Sequence, residues 1–391
     1  MKWIFIPVTF LLLGTYTALN YYIGLRGLQA FGVLLGSRGL TAYWVLFWVF
    51  VYLYLAARFL HRVLPAPINR LMVHAGAYWL AALVYFLGIL VIIDIIRALL
   101  IVMPINLLVW TWQKPLFGLA VVLLVTGILI YGTYNARNPH TVRYQVYLNP
   151  ACKINSGDSI EVALVSDIHL GTIVRTRQLE RLVAQLNELK PDLILFAGDL
   201  IDENVNHFID EGMDAYFRGL NPPLGKYAVL GNHEYYGGHL EEIVKHLEQS
   251  NIKVLRDEGM MVKDLFYLAG REDLAFERHG RKRKSLDAIL AEIDPAQIPV
   301  VLMDHQPKKW QEAKDAGVLL QVSGHTHRGQ LFPFGWITER IFEKDWGMLT
   351  ENGQTLIVSS GYGTWGPPIR TGNRPEIVMI SLKYGRCIAS D

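Results

Sequence analysis

Five short motifs set the strongest constraint on what this chain can fold into. They are Asp167-Ile168-His169, Gly198-Asp199, Gly231-Asn232-His233-Glu234, Asp304-His305 and Gly324-His325-Thr326-His327. Each closes a run that reads as a β-strand, and their donor groups are oxygen and imidazole nitrogen only. A fold that joins them must set several strand ends side by side. Open α/β sheets bind ligands beyond the carboxyl ends of their strands.

The elements between the motifs agree. Residues 160–166 form a β-branched run. In 177–189, Leu179, Leu182, Val183 and Leu186 recur at helical spacing. A buried type of strand at 193–197 ends on Gly198, and another at 226–230 precedes a helix near 239–249. Further strands are predicted at 252–255, 265–269, 300–303, 318–322, 355–359 and 377–382. Alternating strands and helices predict an α/β layered fold.

The apolar content of 52% is unevenly spread along the 391 residues. Residues 1–135 are mostly aliphatic and aromatic, whereas 150–391 hold most of the charge. This predicts a multi-pass membrane region at 1–135 and a polar linker at 136–158, broken by Pro139, Pro150 and Gly157, with room for a first edge strand. A water-soluble domain fills 159–391. Four stretches, 3–23, 42–60, 76–103 and 116–134, are long and apolar enough to cross a bilayer. The first begins with only Lys2 and lacks a small-x-small cleavage site, so it reads as a retained span. The Gly-rich stretch 25–40 reads as a candidate dip into the membrane. Lys2, Arg58, Arg62, Arg70, Arg137, Arg143 and Lys153 would lie on one side, and Arg26, Arg38 and Lys114 on the other. That bias places the amino terminus and the carboxyl domain in the cytoplasm, in a protein of the cell membrane. Asp94 and Arg97 share a helix face and are expected to pair with each other. Trp44, Trp110 and Trp112 fit an interfacial belt. The net charge of +2 is too small to imply nucleic-acid binding. Cys152 and Cys387 stand beside no motif, which excludes a disulfide framework and a thiolate metal site.

Asp167 and His169 are two apart, and if extended their side chains point the same way. His325 and His327 repeat the spacing. Asp199 follows Asp167 by 199 − 167 = 32 residues, a fair length for a βαβ unit of about 30. Oxygens from Asp167, Asp199 and Asn232, with imidazoles from His169, His305, His325 and His327, suit two divalent ions of Mn, Fe or Zn. Such a pair lowers the pKa of water and clamps a phosphoryl group. An imidazole of near-neutral pKa is suited to protonate a departing alkoxide. Singly, each residue has a plainer reading: His305 a core histidine, Asp167 a strand-end cap, Asn232 a turn. His61, His74, His140, His207, His239, His246 and His279 have no motif context and read as surface or packing residues.

With this ordered set, residues 160–382 resemble the calcineurin-like metallophosphoesterase family. The resemblance implies an α/β/β/α sandwich. It implies a first metal held by Asp167, His169, Asp199 and His327, and a second by Asp199, Asn232, His305 and His325, with Asp199 bridging. It makes His233 a catalytic residue that assists the leaving group or the phosphoryl oxygens, oriented by Asp202, the last Asp of the family's GDxxD. The segments VLGNHEYY (229–236), SGHTHRGQLF (323–332) and GYGTWGPPIRTGNRPEI (361–377) are most similar to its membrane-attached branch. That branch holds the YkuE-like and YaeI-like phosphodiesterases and the transmembrane metallophosphoesterase-domain proteins. Two positions depart. Arg328 stands where Gly is usual, and Glu203 replaces the Arg or Asn that commonly follows GDxxD.

Other features allow more than one reading. Arg328 would bind a substrate phosphate or face solvent. Arg370 and Arg374 would bind phosphate bidentately or form structural pairs. The basic run 278–284 is a solvated loop, or a patch for anionic headgroups. Residues 331–348, with Trp336, Ile337, Ile341, Phe342 and Trp346, form a flap over the cleft, an arm touching the bilayer, or a packed insertion. The expectation is a membrane-anchored, dinuclear hydrolase of phosphodiester, pyrophosphate or phosphomonoester bonds. A lipid-linked phosphate is one substrate hypothesis. The rivals are a membrane receptor or scaffold that has lost catalysis, against which the complete ligand set argues, and a transporter, for which no internal repeat is visible. Substrate, metal identity and oligomeric state stay open.

Overall fold

The computed structural model describes residues 2–61, 63–102, 115–148, 159–202, 205–278 and 280–383. Arg62, Trp110, Trp112, Lys114, Cys152, Lys153, Glu203, His279 and Cys387 lie outside them. The chain divides into two compact units, Met1–Thr133 with Gly366–Ile369, and Tyr134–Trp365 with Arg370–Asp391.

The first unit is helical: α1 (Lys2–Phe31), α2 (Ser37–Val51), α3 (Leu53–Leu60), α4 (Ala66–Val102) and α5 (Pro115–Ala136). Among the described residues three helices are long and apolar enough to cross a membrane. The number is up to four if α2 and α3, bent by 51°, cross as one broken span. Residues 25–31 continue α1 and are followed by a 3-10 turn at Gly32–Leu34. A break in an apolar setting frees backbone groups that need partners. The Tyr16 hydroxyl donates to the Val51 carbonyl at 2.6 Å, and the Thr17 and Tyr52 hydroxyls lie 2.6 Å apart. Fully buried Asn20 donates to Tyr16 O at 2.8 Å and accepts from Trp79 Nε1 at 2.9 Å. Gly76 sits where a Cβ would come within 2.5 Å of Tyr54 N, so α3 and α4 meet backbone to backbone.

The expected pairing of Asp94 with Arg97 gives way to a contact between helices. Asp94 pairs with Arg26 of α1 and accepts from the Tyr22 hydroxyl at 2.6 Å. Spacing along one helix says nothing of what a neighbouring helix presents, and here α1 faces the carboxylate.

The second unit is built on strands β1 (His140–Tyr147), β2 (Ser159–Val165), β3 (Leu193–Ala197), β4 (Lys226–Val229), β5 (Ile252–Val254), β6 (Glu258–Val262), β7 (Phe266–Gly270), β8 (Val300–Met303), β9 (Leu320–Ser323), β10 (Gly347–Glu351), β11 (Gln354–Val358) and β12 (Glu376–Lys383). They form two six-stranded sheets, ordered β1-β12-β2-β3-β4-β5 and β10-β11-β9-β8-β7-β6. Strands β2 to β5 run parallel, as do β7, β8, β9 and β11. The carboxyl ends of both parallel sets therefore carry the motifs.

Side-chain alternation decides the layering. Ala163, Val165, Ile194 and Phe196 face the helical layer of α6 (Thr176–Leu189), which buries Leu179, Leu182 and Leu186. Val162, Leu164, Leu193 and Leu195 face the other way and pack against Phe266, Leu268, Val301, Val322 and Ile357 of the second sheet. The outer face of that sheet packs Val300, Leu302 and Leu356 on Trp310 and Leu286. The result is an α/β/β/α sandwich, as the family resemblance implies. Strands β6 and β10 were not expected. Both are antiparallel edges with half-exposed residues, and such strands lack the apolar alternation that marks a buried one. The basic run 278–284 is not wholly a solvated loop, because Arg283 turns inward and donates to Asp304 at 2.6 Å.

Removing one charge of the Arg26–Asp94 pair leaves the other without its counter-charge among apolar helices. Arg26→Met is expected to lower stability by about 3 kcal/mol. The double variant Arg26→Met with Asp94→Asn should recover most of it, read as thermal unfolding of the full-length protein in detergent. Equal losses in the single and double variants would contradict the pairing.

Candidate metal centre

Every expected donor follows a strand end. Asp167 and His169 follow β2, Asp199 follows β3, Asn232 follows β4, His305 follows β8, and His325 and His327 follow β9. The two-apart pairs are not extended. Asp167, His169, Asp199, His325 and His327 all hold left-handed backbone, with φ of 52°, 54°, 51°, 71° and 46°. Non-glycine residues seldom adopt this region, and such strain collects at functional sites. Two glycines of the motifs make room. A Cβ on Gly231 would stand 2.2 Å from Asp199 Oδ1, and one on Gly324 would stand 2.3 Å from Asp167 Oδ2.

The donors converge. Ligand atoms of Asp167, His169 and His327 lie within 4.8 Å of one another, as do those of Asp199, His305 and His325, and those of His169, Asp199 and His233. Asp199 belongs to two groups. Its Oδ1 accepts the His233 backbone N–H at 2.9 Å. Its Oδ2 lies 3.2 Å from His305 Nε2 and 3.9 Å from His169 Nε2. His169 Nε2 and His327 Nε2 approach to 3.0 Å, and His327 Nε2 is 3.5 Å from Asp167 Oδ1. Both Asp167 oxygens accept the His325 backbone N–H at 3.0 Å.

The protonation chemistry suits cations. Burial lowers His169 to about 4 and His325 to about 3, and burial with neighbouring His169 holds His327 well below the imidazole range. These three rings are neutral at pH 7. Burial raises Asp167 to about 6. For Asp199, burial acts upward, but His305 outweighs it and keeps the acid well below its usual range. His305 Nδ1 lies 2.7 Å from the carbonyl of Ala197, which only accepts. Its Nδ1 therefore carries a proton, and in the neutral ring Nε2 is a bare lone pair aimed at a carboxylate. That contact is repulsive unless a positive charge intervenes. Without a cation, burial would oppose charging His305, yet Asp199 prevails and pushes its pKa well up. Buried His305 Nε2 and Asn232 Oδ1 have no hydrogen-bond partner among the described residues. Orphaned buried acceptors call for an explanation. Divalent ions supply one, so the donor set fits a metal pair.

His233 stands at the rim. Its Nδ1 is 3.1 Å from Asp202 Oδ1, and its ring meets Trp365 and Tyr236 at centroid distances of 6.2 and 5.7 Å. Burial pushes His233 down, but the bond to Asp202 and the charge of Asp199 lift it to about 9.

The supporting residues were missed in the sequence. Glu234 is fully buried and accepts the backbone N–H groups of Asp199 at 3.1 Å, Ile201 at 3.0 Å and Gly231 at 2.7 Å. It clamps the β3 and β4 loops together, and its place at the end of the Gly231–Glu234 motif is the signal in the sequence. Burial and the Asp199 charge raise it to about 7. Asp304 pairs with Arg283 and with Arg271 at 3.7 Å, which fixes the strand end that carries His305.

Arg370 requires a correction, because it is not placed to grip a substrate phosphate. It is fully buried, and its five N–H donors are committed. Nε and Nη2 donate to Gly363 O, Nη1 to Ser360 O and Asn373 Oδ1, and Nη2 also faces His327 Nδ1 at 3.1 Å. It holds the ring of an expected ligand in place. Arg374 donates to Asn138 O at 3.0 Å. Arg328 stacks its guanidinium on the Trp346 ring at 4.3 Å.

Known proteins are similar to this chain. The model of the calcineurin-like phosphoesterase family matches residues 160–329. An uncharacterized metallophosphoesterase of Aquifex aeolicus is 34% identical over 65% of this chain and 97% of its own length. A transmembrane protein with metallophosphoesterase domain from Danio rerio is 33% identical over 67% of this chain and 62% of its own. The uncharacterized metallophosphoesterase YkuE of Bacillus subtilis is 28% identical over 69% and 96%.

Groups that orient metal ligands commonly change affinity by roughly 10–100-fold when altered. Glu234→Gln replaces an acceptor of three N–H bonds with a group that must turn a donor toward them. Metal content and calorimetric Mn²⁺ affinity of the full-length protein should fall by about that factor. Unchanged affinity would show that the clamp has no bearing on the ligands.

Proposed function

Because the chain belongs to the calcineurin-like phosphoesterase family and is a hydrolase of phosphoric esters, we propose that it is a membrane-anchored enzyme with two divalent ions, acting on a lipid-linked phosphodiester, pyrophosphate or phosphomonoester. Asp167, His169, Asp199 and His327 would hold one ion, and Asp199, Asn232, His305 and His325 the other. Mn, Fe and Zn all suit these donors. The observation that carries the reading is Asp199 Oδ2, which faces His169 and His305 at once. The bound ions would supply Lewis acidity and an acidified water.

The chain's own residues do the rest. Asp202 only accepts, so it keeps a proton on His233 Nδ1 and directs Nε2 outward. The lifted pKa of His233 keeps a second proton on that nitrogen at neutral pH, ready for a leaving oxygen. Cations beside Asp199 would cancel part of the field that holds this proton, which moves the acid toward the working pH. Trp365 and Tyr236 flank the ring. Arg328, in its unusual position, is the candidate for a substrate phosphate.

Three to four membrane-length helices support the anchored reading, as does the name of the Danio rerio relative. Under this proposal residues 1–135 anchor, 136–158 link and 159–391 catalyse. The Lys and Arg bias toward one side supports a cytoplasmic catalytic domain in the cell membrane. A site fixed beside a bilayer favours substrates that reside in one.

Purified full-length protein is expected to hydrolyse an aryl phosphodiester only with Mn²⁺ or a similar ion. Asp199→Asn removes the shared charge and should cost several kcal/mol of transition-state stabilisation, on the order of a thousandfold in rate. Full turnover in that variant would refute the bridging role. Hydrolysis of soluble phosphates alone, with lipid phosphates presented in micelles, would remove the lipid-linked substrate.

A further inference from the structure

Residues 332–341 carry an exposed apolar surface that nothing in the site uses. Phe332 is 51% exposed, Trp336 59%, Ile337 52% and Ile341 63%, and Phe334 is exposed beside them. The helix Gly335–Ile341 sets Trp336, Ile337 and Ile341 within an arc of about 140°, at roughly 100° per residue. Phe332 and Trp336 meet edge to face with ring centroids 5.2 Å apart. Exposed Arg340 lies between these apolar positions, where its stem can lie along lipid while its head meets a phosphate. Contiguous apolar surface of this kind marks an interaction site.

The arm is firmly mounted. Its far end returns through Phe342, whose ring lies 6.0 Å from that of His325. Thr326 Oγ1 donates to Asp345 O at 2.6 Å, and Thr338 Oγ1 donates to Asp345 Oδ2 at 2.7 Å. A Cβ on Gly329 would stand 2.3 Å from Gly335 N. The base of the arm is held by the segment 370–375, where Thr371 Oγ1 accepts the Phe332 N–H at 2.9 Å.

That same segment receives the end of α5. Asn135 Nδ2 donates to Arg370 O at 3.0 Å and Asn373 O at 2.6 Å, and Arg374 donates to Asn138 O. Ala136 ends α5 and His140 begins β1, and the three residues between them span at most about 10 Å. The exit of a membrane-length helix and the root of the apolar arm therefore share one short piece of chain.

We propose that residues 332–341 form a second membrane contact, an interfacial arm whose Phe332, Trp336, Ile337 and Ile341 enter the headgroup and acyl boundary of the bilayer. The occupant is lipid, because Asn135, in the last turn of a membrane-length helix, bonds the same segment 370–375 that roots the arm. Interfacial elements combine Trp, Phe and Ile on one face with a basic residue at the rim. The inference rests on the anchored reading and is independent of catalysis. Its consequence is that the GHTH loop is pinned at headgroup depth.

The test uses full-length protein in phosphatidylcholine vesicles. Cys152→Ser and Cys387→Ser clear the background, and a nitroxide is placed through Ile337→Cys, Ile341→Cys or, as a control on an exposed helix, Glu248→Cys. Labels at 337 and 341 should relax strongly with lipid-soluble oxygen and weakly with an aqueous nickel chelate, and the control should do the reverse. The triple variant Trp336→Ser, Ile337→Ser, Ile341→Ser should keep its turnover of a soluble aryl phosphodiester. Labels at 337 and 341 that respond to nickel as the control does would overturn the proposal. So would dipolar coupling between labels of two molecules with protection from both reagents, which would make a second copy the occupant. Absence of metal-dependent turnover in the protein with its arm unaltered, while the labels at 337 and 341 still report lipid, would sink the enzymatic reading and leave the arm standing.

Discussion

The contact between Asp199 and His305 is the constraint on which the site depends. A carboxylate oxygen 3.2 Å from an imidazole nitrogen whose partner nitrogen already bonds a carbonyl is stable only with positive charge nearby. The residues around it hold these two groups in place. Glu234 ties the β3 and β4 loops, and Asp304 with its two arginines ties the end of β8. The apolar seam between the sheets prevents the loops from drifting apart. Left-handed backbone at five donor positions is the conformational cost of this convergence.

Layer order and metal geometry have one cause. Because side chains alternate across a strand, the residues that fill the seam between the sheets and those that meet the helices are fixed in register. The strand ends of both sheets then open on the same side. Asp167, Asp199 and Asn232 come from the first sheet, and His305, His325 and His327 from the second. Neither sheet alone holds a full set, so the centre requires the two sheets to be packed.

Much of this was legible in the sequence. Buried strands such as Leu193–Ala197 read as unbroken apolar runs, and the motifs announced their ends. Edge strands β6 and β10 were illegible because a half-exposed edge carries no periodic signal. The partners of charged side chains were the other failure. Asp94 found Arg26 rather than Arg97, Arg283 turned inward to Asp304, and Arg370 spent its donors on backbone carbonyls. Each depends on what a distant segment presents, and spacing along one element cannot report that. The left-handed donors were misread for a related reason, since local pattern assigns extended backbone wherever a strand ends.

The loop 370–375 links the last turn of α5 to the site. Asn135, in the last turn of α5, holds the carbonyls of Arg370 and Asn373. Arg370 faces the Nδ1 of His327, and the Asn373 amide donates to the carbonyl of the same histidine. Two hydrogen-bonded steps thus join the end of a membrane-length helix to an expected metal ligand. A guanidinium can only donate, so its hold on His327 depends on where its own backbone sits. That backbone is located by the Asn135 amide. The end of α5 is in this sense part of the support of the site, and the chain continues from it into β1 within three residues.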